Sequence, residues 1–337
     1  MTQIHRIFLL LLVASASLTV VAQDIAPFLG RWALTIPSGR AGWLEVTQEK
    51  GYLDGRILWG GGSVVPLESV YLDGEALVVT RIRDVERKND GGEVVRTQRF
   101  TETIRAEKNG ADALSLTFEE VHRDGSGSTI EPFTGKRIPA LPEAPDLSAV
   151  TFGDPVVLFT GIDLRGWSLT NPDQLNGWRA EDGHLVNDPV QEEGKPHKRY
   201  GNLRTDAEFE DFNITLDVKV PKNGNSGVYL RGIYEVQVMD SYGMELDNHH
   251  MGGVYSRITP LVAAEKPAGE WQRLDITLVD RHITVKFNGK LVIDNAPLLG
   301  CTGGALWSDE FRPGPIYLQG DHTGVTYRDI VLRPVVK

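Results

Sequence analysis

Apolar and polar residues alternate along several short stretches of the chain. Residues 212–220 place Phe, Ile, Leu, Val and Val at every second position, with Asn, Thr, Asp and Lys between them. Residues 282–287 alternate in the same way. Because side chains of a β-strand point alternately to its two faces, this period of two predicts strands with one buried face.

Turn residues separate these stretches. Asn288 and Gly289 lie between residues 282–287 and the apolar run 291–293, and Asn-Gly favours a tight hairpin because both residues tolerate positive φ. The chain contains 36 glycines and 18 prolines, which supply further turns. No long stretch shows the period of an amphipathic helix. The sequence therefore predicts an all-β protein.

A proline-rich segment divides the chain. Three prolines fall within residues 139–145, and proline favours extended backbone that lacks a hydrogen-bond donor. We predict a Pro-rich linker over residues 139–153, a small β-barrel-like domain over residues 24–138 and a second β domain over residues 154–335. Gly30-Arg-Trp32 is similar to the Gly-x-Trp start of lipocalin-type barrels, although a tryptophan that closes any small barrel gives the same pattern.

Residues 1–22 have the three parts of a secretory signal peptide. A basic start precedes an apolar run over residues 7–16, and small residues precede Gln23. A membrane anchor is the alternative, but a spanning helix needs roughly 20 apolar residues, and this run is interrupted by polar residues from Ser15 onwards. We expect a periplasmic or secreted protein with no membrane association after signal cleavage.

Composition narrows the function further. The formal net charge of −11 argues against nucleic acid as a partner. Cys301 is the only cysteine, so the chain has neither an internal disulfide nor a Cys-rich zinc site. The sequence lacks a Gly-x-Ser-x-Gly elbow, a phosphate-binding glycine loop and a dinucleotide fingerprint. A serine hydrolase, a kinase and a dehydrogenase are therefore disfavoured.

The segment from residue 225 to residue 240 has the densest set of candidate functional side chains. If it forms one regular strand, one face is apolar and the other carries Tyr229, Arg231, Glu235 and Gln237. On a curved sheet such a row suits the binding of an extended sugar. The alternative is a solvated face on which Arg231 and Glu235 pair. Asp240 falls on the apolar face unless a bulge redirects it.

Two histidines in loops are further candidates for proton transfer or metal binding. His250 follows Asp247-Asn248-His249, and His322 follows Asp321 near the C-terminus. Histidine titrates near neutral pH, although surface loops also carry histidines without a function. No spacing of these residues matches a known metal motif.

Six blocks in the second half resemble, in order, the 3-keto-disaccharide hydrolase family. They are Leu158–Trp167, Gly201–Thr205, Asn225–Arg231, Tyr234–Gln237 with Asp240, Lys266–Trp271, and Gly314–Gln319 with His322. The resemblance covers residues 154–335 and departs from the family pattern at Asp329, where asparagine is more usual. It implies a concanavalin-like jelly-roll sandwich for these residues. The N-terminal domain lies outside the resemblance.

The resemblance also implies chemistry on glycosides whose C3 hydroxyl has been oxidised to a ketone. The ketone acidifies the C2 hydrogen, so a base removes it and the C1 substituent departs, with or without later addition of water. The candidate base is Glu235, His250 or His322, and Arg231 or a divalent cation would stabilise the enolate oxygen. Candidate substrate-binding residues are Asn225, Tyr229, Gln237, Asp240, Tyr255, Glu270 and Gln319.

Three alternatives stay open at this stage. A conventional glycosidase needs two carboxylates roughly 5 to 9.5 Å apart, whereas Gln237 stands between Glu235 and Asp240. A lectin-like module would bind glycans through the same face without catalysis. The N-terminal domain could also be the working part. The sequence specifies no cofactor; a divalent cation is the one candidate, and carbohydrate is the expected partner.

Overall fold

A computed structural model describes residues 24–336. The predicted signal peptide lies outside these residues. Within them, one turn of 3-10 helix over Ala26–Phe28 is the only helix, and the remaining regular elements are 22 β-strands. No helix in the described range is long and apolar enough to cross a membrane. The prediction of an all-β protein is confirmed.

Nine strands of the N-terminal part form one antiparallel sheet. In space they follow the order β4-β3-β2-β1-β9-β8-β7-β6-β5. The strands are β1 (Gly30–Thr35), β2 (Ala41–Glu49), β3 (Tyr52–Trp59), β4 (Val65–Pro66), β5 (Ser69–Asp73), β6 (Ala76–Lys88), β7 (Val94–Lys108), β8 (Ala113–Val121) and β9 (Ser128–Ile138).

This sheet curls until its two ends approach each other. Strands β3 and β5 contact each other although they lie at opposite ends of the strand order, and the Leu67 amide donates to the Gly55 carbonyl at 2.9 Å. Trp32 is buried inside, where its indole N–H donates to Phe28 O at 2.9 Å. The Arg137 guanidinium lies 4.2 Å from the Trp32 ring centroid. These contacts give a barrel-like unit with its own apolar core.

Two further sheets form the C-terminal part. The first runs β12-β13-β22-β15-β18-β19-β20, with β10 also paired to β22, and the second runs β11-β14-β21-β16-β17. Their strands are β10 (Val156–Val157), β11 (Trp167–Leu169), β12 (Trp178–Glu181), β13 (His184–Asn187), β14 (Leu203–Thr205), β15 (Phe212–Lys219), β16 (Asn225–Leu230), β17 (Tyr234–Met239), β18 (Gln272–Val279), β19 (His282–Phe287), β20 (Lys290–Pro297), β21 (Tyr317–Leu318) and β22 (Val325–Pro334).

The core of this sandwich lies between the two sheets. Ile214 and Leu216 of β15 are fully buried, as are Val228 of β16 and Val236 of β17 from the other sheet, and all belong to one apolar cluster. Strand β15 alternates strictly between buried and half-buried positions. The predicted jelly-roll sandwich is confirmed, because each sheet buries one face against the other.

The backbone confirms the predicted hairpin turn and accounts for the departure at Asp329. Asn288 and Gly289 adopt φ of 47° and 80° between β19 and β20, as the hairpin signal predicts. Asp329 adopts φ of 50° where the pairing of β15 with β22 shifts register. Aspartate and asparagine both tolerate this left-handed conformation, which explains why aspartate serves at this position.

Residues 225–240 do not form the single strand considered above. They form a hairpin, with β16 and β17 joined by a turn in which Arg231 and Gly232 have φ of 53° and 68°. Tyr229 faces Glu235 across the hairpin, and Gly227 faces Gln237. The reversal keeps Tyr229, Glu235 and Gln237 on one face but places Arg231 in the turn.

Candidate active site

A pocket of about 360 Å³ opens on the face of the five-stranded sheet that points away from the sandwich core. We call it the Glu235 pocket. Its lining comes from both domains and consists of Arg40, Gly61, Gly62, Asn202, Asn225, Tyr229, Glu235, Gln237, Tyr255, Gly303, Gly304, Tyr317, Gln319, Asp321 and His322. A concave surface with several converging polar groups is the usual form of a small-molecule site.

Glu235 is buried at the floor of the pocket, with 3% of its surface exposed. Its backbone amide donates to Thr302 Oγ1 at 3.0 Å, which fixes this part of β17. Across the hairpin, the missing side chain of Gly227 leaves the space that the carboxylate occupies, since a Cβ atom there would overlap Glu235 Oε1. The glycine thus lets a large acidic side chain lie flat against the sheet.

Burial raises the pKa of Glu235 to about 8. The negative charge of Asp321 acts in the same direction, whereas a hydrogen bond from the Tyr229 hydroxyl to Glu235 Oε2, at 2.8 Å, opposes it. Burial also raises the pKa of Tyr229 well above its usual range, so this hydroxyl stays protonated. Glu235 is therefore largely a neutral acid at pH 7.

Tyr229 connects Glu235 to Gly303, another lining residue of the pocket. Its hydroxyl lies 2.7 Å from the carbonyl oxygen of Gly303 as well as 2.8 Å from Glu235 Oε2. One hydroxyl hydrogen cannot fully serve two acceptors, but a protonated Glu235 can donate to Tyr229 while Tyr229 donates to Gly303. The Tyr229 ring stacks on Tyr317, with centroids 4.1 Å apart.

His322 and Asp321 form a hydrogen-bonded pair in the same pocket. His322 Nδ1 lies 2.7 Å from Asp321 Oδ1, and this hydrogen bond raises the pKa of His322. Asn202 Oδ1 accepts from the backbone amides of Gly320 and Asp321 at 2.7 and 3.2 Å, which holds the turn. With Nδ1 bound to the carboxylate, a neutral His322 presents Nε2 as the basic nitrogen.

Two amide side chains of the pocket have oxygen atoms without a hydrogen-bond partner among the described residues. The side-chain carbonyl oxygens of Gln237 and Gln319 are buried and accept no hydrogen bond in the described part of the chain. Gln237 Nε2 donates to Asn225 Oδ1 at 3.3 Å. An unmet buried acceptor costs about 1–3 kcal/mol, so these two oxygens favour a conformation or a ligand that brings a donor to them.

A loop along the edge strand β17 brings Tyr255 to the pocket. The Gln237 amide donates to Gly253 O at 2.9 Å, and the Tyr255 amide donates to Glu235 O at 3.0 Å. These bonds continue the sheet beyond its last strand. The His249 ring meets the Tyr255 ring edge-on, with centroids 4.9 Å apart.

Comparison with known proteins identifies the C-terminal part. Residues 154–333, more than half of the chain, match the 3-keto-alpha-glucoside-1,2-lyase-like domain. The chain belongs to this family. The match confirms the resemblance seen in the sequence, and it supports a carbohydrate-active function. The lyase-like domain supplies most of the pocket, from Asn202 to His322.

Several solved structures are similar to part of this chain. A candidate glycosyl hydrolase from Parabacteroides distasonis is 28% identical and covers 58% of this chain and 94% of its own, with a TM-score of 0.44. A second from the same organism is 20% identical and covers 54% and 94%, with a TM-score of 0.43. A carbohydrate binding module from Bacillus subtilis is 14% identical and covers 49% and 93%, with a TM-score of 0.28. No curated protein matches the chain.

The structure brings seven of the predicted site residues together in the Glu235 pocket. They are Asn225, Tyr229, Glu235, Gln237, Tyr255, Gln319 and His322. Strand alternation carries four of them to one face of the β16–β17 hairpin, while the other three lie in loops, with Gln319 directly after β21. Their roles in binding or catalysis stay predictions.

Two predicted catalytic residues lie outside the pocket lining. Arg231 points away from it, because the turn directs its guanidinium to the carbonyl oxygens of Glu310 and Arg312, each at 2.6 Å. It therefore neither pairs with Glu235 nor faces the pocket. His250 is buried, with Nε2 2.9 Å from Glu265 Oε1 and Nδ1 3.2 Å from Glu245 O. Both ring nitrogens are therefore occupied by hydrogen bonds within the protein, next to the loop that carries Tyr255.

Two predicted substrate-binding residues also lie elsewhere. Asp240 accepts from the Asn223 amide and from Lys222 Nζ, each at 2.9 Å, and the first of these bonds lowers its pKa. It anchors the turn before β16. Glu270 is exposed in the turn before β18 and does not line the Glu235 pocket.

Sequence reasoning missed several lining residues. Asn202 and Tyr317 lie within blocks that carry the family resemblance, so attention to every polar residue of those blocks would have found them. Arg40, Gly61 and Gly62 belong to the N-terminal domain, and no pattern in the sequence connects them with the pocket. Among residues 24–336, no three His, Cys, Asp or Glu side chains group closely enough to hold a metal ion.

Proposed function

We propose that this protein cleaves 3-keto-glycosides by eliminating the C1 substituent, with His322 as the base and Glu235 as the acid. The observation that carries the proposal is that one pocket holds a buried carboxyl of pKa about 8 beside a histidine bound to an aspartate. Two groups whose environments separate their proton affinities are the usual basis of acid–base catalysis. The signal-like residues 1–22 support an exported enzyme.

The reaction follows from the chemistry of the ketone. His322 Nε2 removes the C2 proton, and the electrons of that bond form the enolate of the C3 ketone. The enolate then expels the C1 oxygen, which takes the proton of Glu235, and a C1–C2 double bond remains. Addition of water at C1 would complete a net hydrolysis. Asp321 supports the positive charge that His322 gains in the first step.

Neighbouring groups have positioning roles in this scheme. Tyr229 and Gly227 orient the carboxyl of Glu235, one by a hydrogen bond and the other by leaving space. Asn202 holds the turn that carries Asp321 and also donates to the Tyr317 hydroxyl at 2.9 Å. The free carbonyl oxygens of Gln237 and Gln319 would accept from sugar hydroxyls, which fixes the ring relative to both proton-transfer groups.

One observation favours a second candidate, a conventional glycosidase. Asp321 is a second carboxylate in the same pocket, and its charge contributes to the raised pKa of Glu235. Two carboxylates can cleave an unoxidised glycoside directly. Against this, Asp321 is committed to His322 by a 2.7 Å hydrogen bond.

The first test measures product release from a 3-keto-glucoside and from its unoxidised parent, each with and without a chelator. Turnover of the keto compound alone is expected, together with an absorbing enone product. Turnover of the parent would establish a conventional glycosidase, and binding without turnover would establish a lectin. Loss of activity with chelator would add a divalent cation to the site.

Exchange of the C2 hydrogen in deuterated water separates the two proposed roles. His322→Ala should abolish exchange, whereas Glu235→Gln should retain exchange but lose about 10²–10⁴-fold in cleavage. The loss in Glu235→Gln should be smallest for a nitrophenol leaving group, which needs no acid. Glu270→Gln and His197→Ala, at exposed positions outside the pocket, are the matched controls. Retained exchange in His322→Ala would contradict the assignment of the base.

A further inference from the structure

The N-terminal domain forms one wall of the Glu235 pocket. Three polar contacts hold its loop over residues 60–64 against the lyase-like domain. The Gly304 amide donates to Gly60 O at 3.2 Å, the Val64 amide donates to Ser256 Oγ at 2.8 Å, and Ser63 Oγ lies 2.8 Å from His249 Nε2. The loop thereby lies beside Tyr255 on one side and Gly303 on the other.

Close backbone contact fixes this wall in place. A Cβ atom at Gly303 would overlap the carbonyl oxygen of Gly62, and a Cβ atom at Gly300 would overlap the indole of Trp43. The Arg257 guanidinium stacks 4.1 Å from the centroid of the Trp43 ring. The two domains therefore meet along a packed interface beside the pocket.

Arg40 is the cation that this wall brings to the pocket. Its Nε donates to Ser38 Oγ at 3.2 Å, and it forms none of the ion pairs found within 4.0 Å among residues 24–336. Gly60, with φ of 83°, lies against the guanidinium, since a Cβ atom there would come within 3.0 Å of Arg40 Cζ. The side chain is exposed at the pocket lining.

The other charged lining groups already have partners or are neutral. Asp321 binds His322, and Glu235 is held as a neutral acid by burial. Arg40 therefore offers a planar set of donors without a carboxylate to accept from them. Such a fork suits the paired oxygens of a carboxylate, a sulfate or a phosphate better than a single neutral hydroxyl.

We propose that Arg40 binds an anionic substituent of the glycoside, so that the N-terminal domain selects substrates carrying a carboxylate, sulfate or phosphate group. This inference rests on the proposed function of the Glu235 pocket. It makes Arg40 a specificity-determining residue contributed from outside the family-matched region. In this scheme the proton-transfer groups Glu235 and His322 belong to the lyase-like domain, whereas the residue that binds the anionic group belongs to the N-terminal domain.

The test compares four aryl 3-keto-glucosides that have the same aryl leaving group. They differ only in one substituent, which is a neutral group, a carboxylate, a sulfate or a phosphate. With the full-length protein, KM for the favoured anionic compound should lie about tenfold below that of the neutral one, the effect of one charge-assisted hydrogen-bond pair. Arg40→Ala should remove this ratio, Arg40→Lys should restore part of it, and high salt should weaken it. Arg123→Ala, an exposed arginine of the same domain outside the pocket, is the control and should keep the ratio.

The anionic substituent that gives the lowest KM identifies the group that Arg40 prefers. An equal KM for all four compounds, or a ratio unchanged in Arg40→Ala, would overturn the inference even if the keto compounds are cleaved. If none is cleaved, the proposed function fails. Calorimetric binding of the unoxidised anionic and neutral glycosides to wild type and Arg40→Ala then decides the role of Arg40 separately. Thermal unfolding of each variant shows whether the interface has survived.

Discussion

Gly227 and Glu235 share one small space on the β16–β17 hairpin. The carboxylate of Glu235 fills the volume that a Cβ atom on Gly227 would need, so a single added methyl group would displace Oε1. The acid and the glycine lie on adjacent strands, because Gly227 pairs with Gln237 and Glu235 pairs with Tyr229. The position of the proposed acid therefore depends on a residue that has no side chain.

Gly227→Ala should abolish most cleavage by pushing the carboxylate away from Tyr229. We expect at least a hundredfold loss, in the range of a misplaced acid, and a loss of stability of about 1–3 kcal/mol from overpacking. In the Glu235→Ala background the same substitution should cost little, since the overlapping atom is absent. A double-mutant cycle by urea unfolding checks this coupling. Gly91→Ala, at an exposed hairpin turn, is the control. Additive effects would show that Gly227 does not act through Glu235.

The pH dependence of kcat/KM should be bell-shaped. Cleavage needs neutral His322, whose pKa is raised above 6.5 by Asp321, and protonated Glu235, whose pKa is about 8. Activity should rise with pH through the first and fall through the second. Asp321→Asn removes the charge that raises the pKa of His322, so the rising limb should move to lower pH while the maximum rate falls. If the rising limb of Asp321→Asn stays at the same pH, the limb does not report the titration of His322.

Tyr229→Phe should move the falling limb of the pH profile to higher pH. The hydrogen bond from Tyr229 lowers the pKa of Glu235 against the effect of burial. Without the hydroxyl, the pKa should rise further and the falling limb should lie above pH 8. Carbon NMR of labelled glutamate reports the same shift without substrate. An unchanged pKa would show that the hydroxyl donates to Gly303 alone.

Glu235 should also make stability depend on pH. The folded state keeps the carboxyl protonated up to a pKa of about 8, whereas the unfolded chain releases the proton near 4.5. Stability due to this group is therefore lost as pH rises from 4.5 to 8 and is constant above that range. Glu235→Gln should gain a few kcal/mol over wild type between pH 5 and 8.5 in urea unfolding. Glu270→Gln should show no such gain. A constant difference between Glu235→Gln and wild type would contradict the raised pKa.

Local patterns predicted most of the fold and part of the site. Alternation located β15 and β19, and Asn288-Gly289 located the turn after β19, because these signals depend only on neighbouring residues. Alternation failed at Arg231, because the turn there has arginine where asparagine usually precedes the glycine, although Arg231 and Gly232 both adopt positive φ. The chain reverses direction there, so Arg231 binds the carbonyl oxygens of Glu310 and Arg312 instead of lining the pocket.

The contribution of the N-terminal domain could not be predicted for a different reason. Arg40 reaches the pocket through contacts between residues separated by roughly two hundred positions or more, such as Ser63 with His249 and Gly60 with Gly304. No short-range pattern encodes such contacts. The histidines show the same limit, since only tertiary packing distinguishes buried His250, bound to Glu265, from His322 at the pocket.

Trp43 of β2 has a consequence for how the molecule unfolds. Together with Leu58 of β3 it belongs to the apolar cluster of the C-terminal sandwich rather than to that of its own barrel. Removing the barrel would therefore remove Trp43 and Leu58 from the sandwich core. Unfolding of either half would expose apolar side chains of the other half to water. The two halves should behave as one cooperative unit, with a single heat-absorption peak whose calorimetric and van't Hoff enthalpies agree.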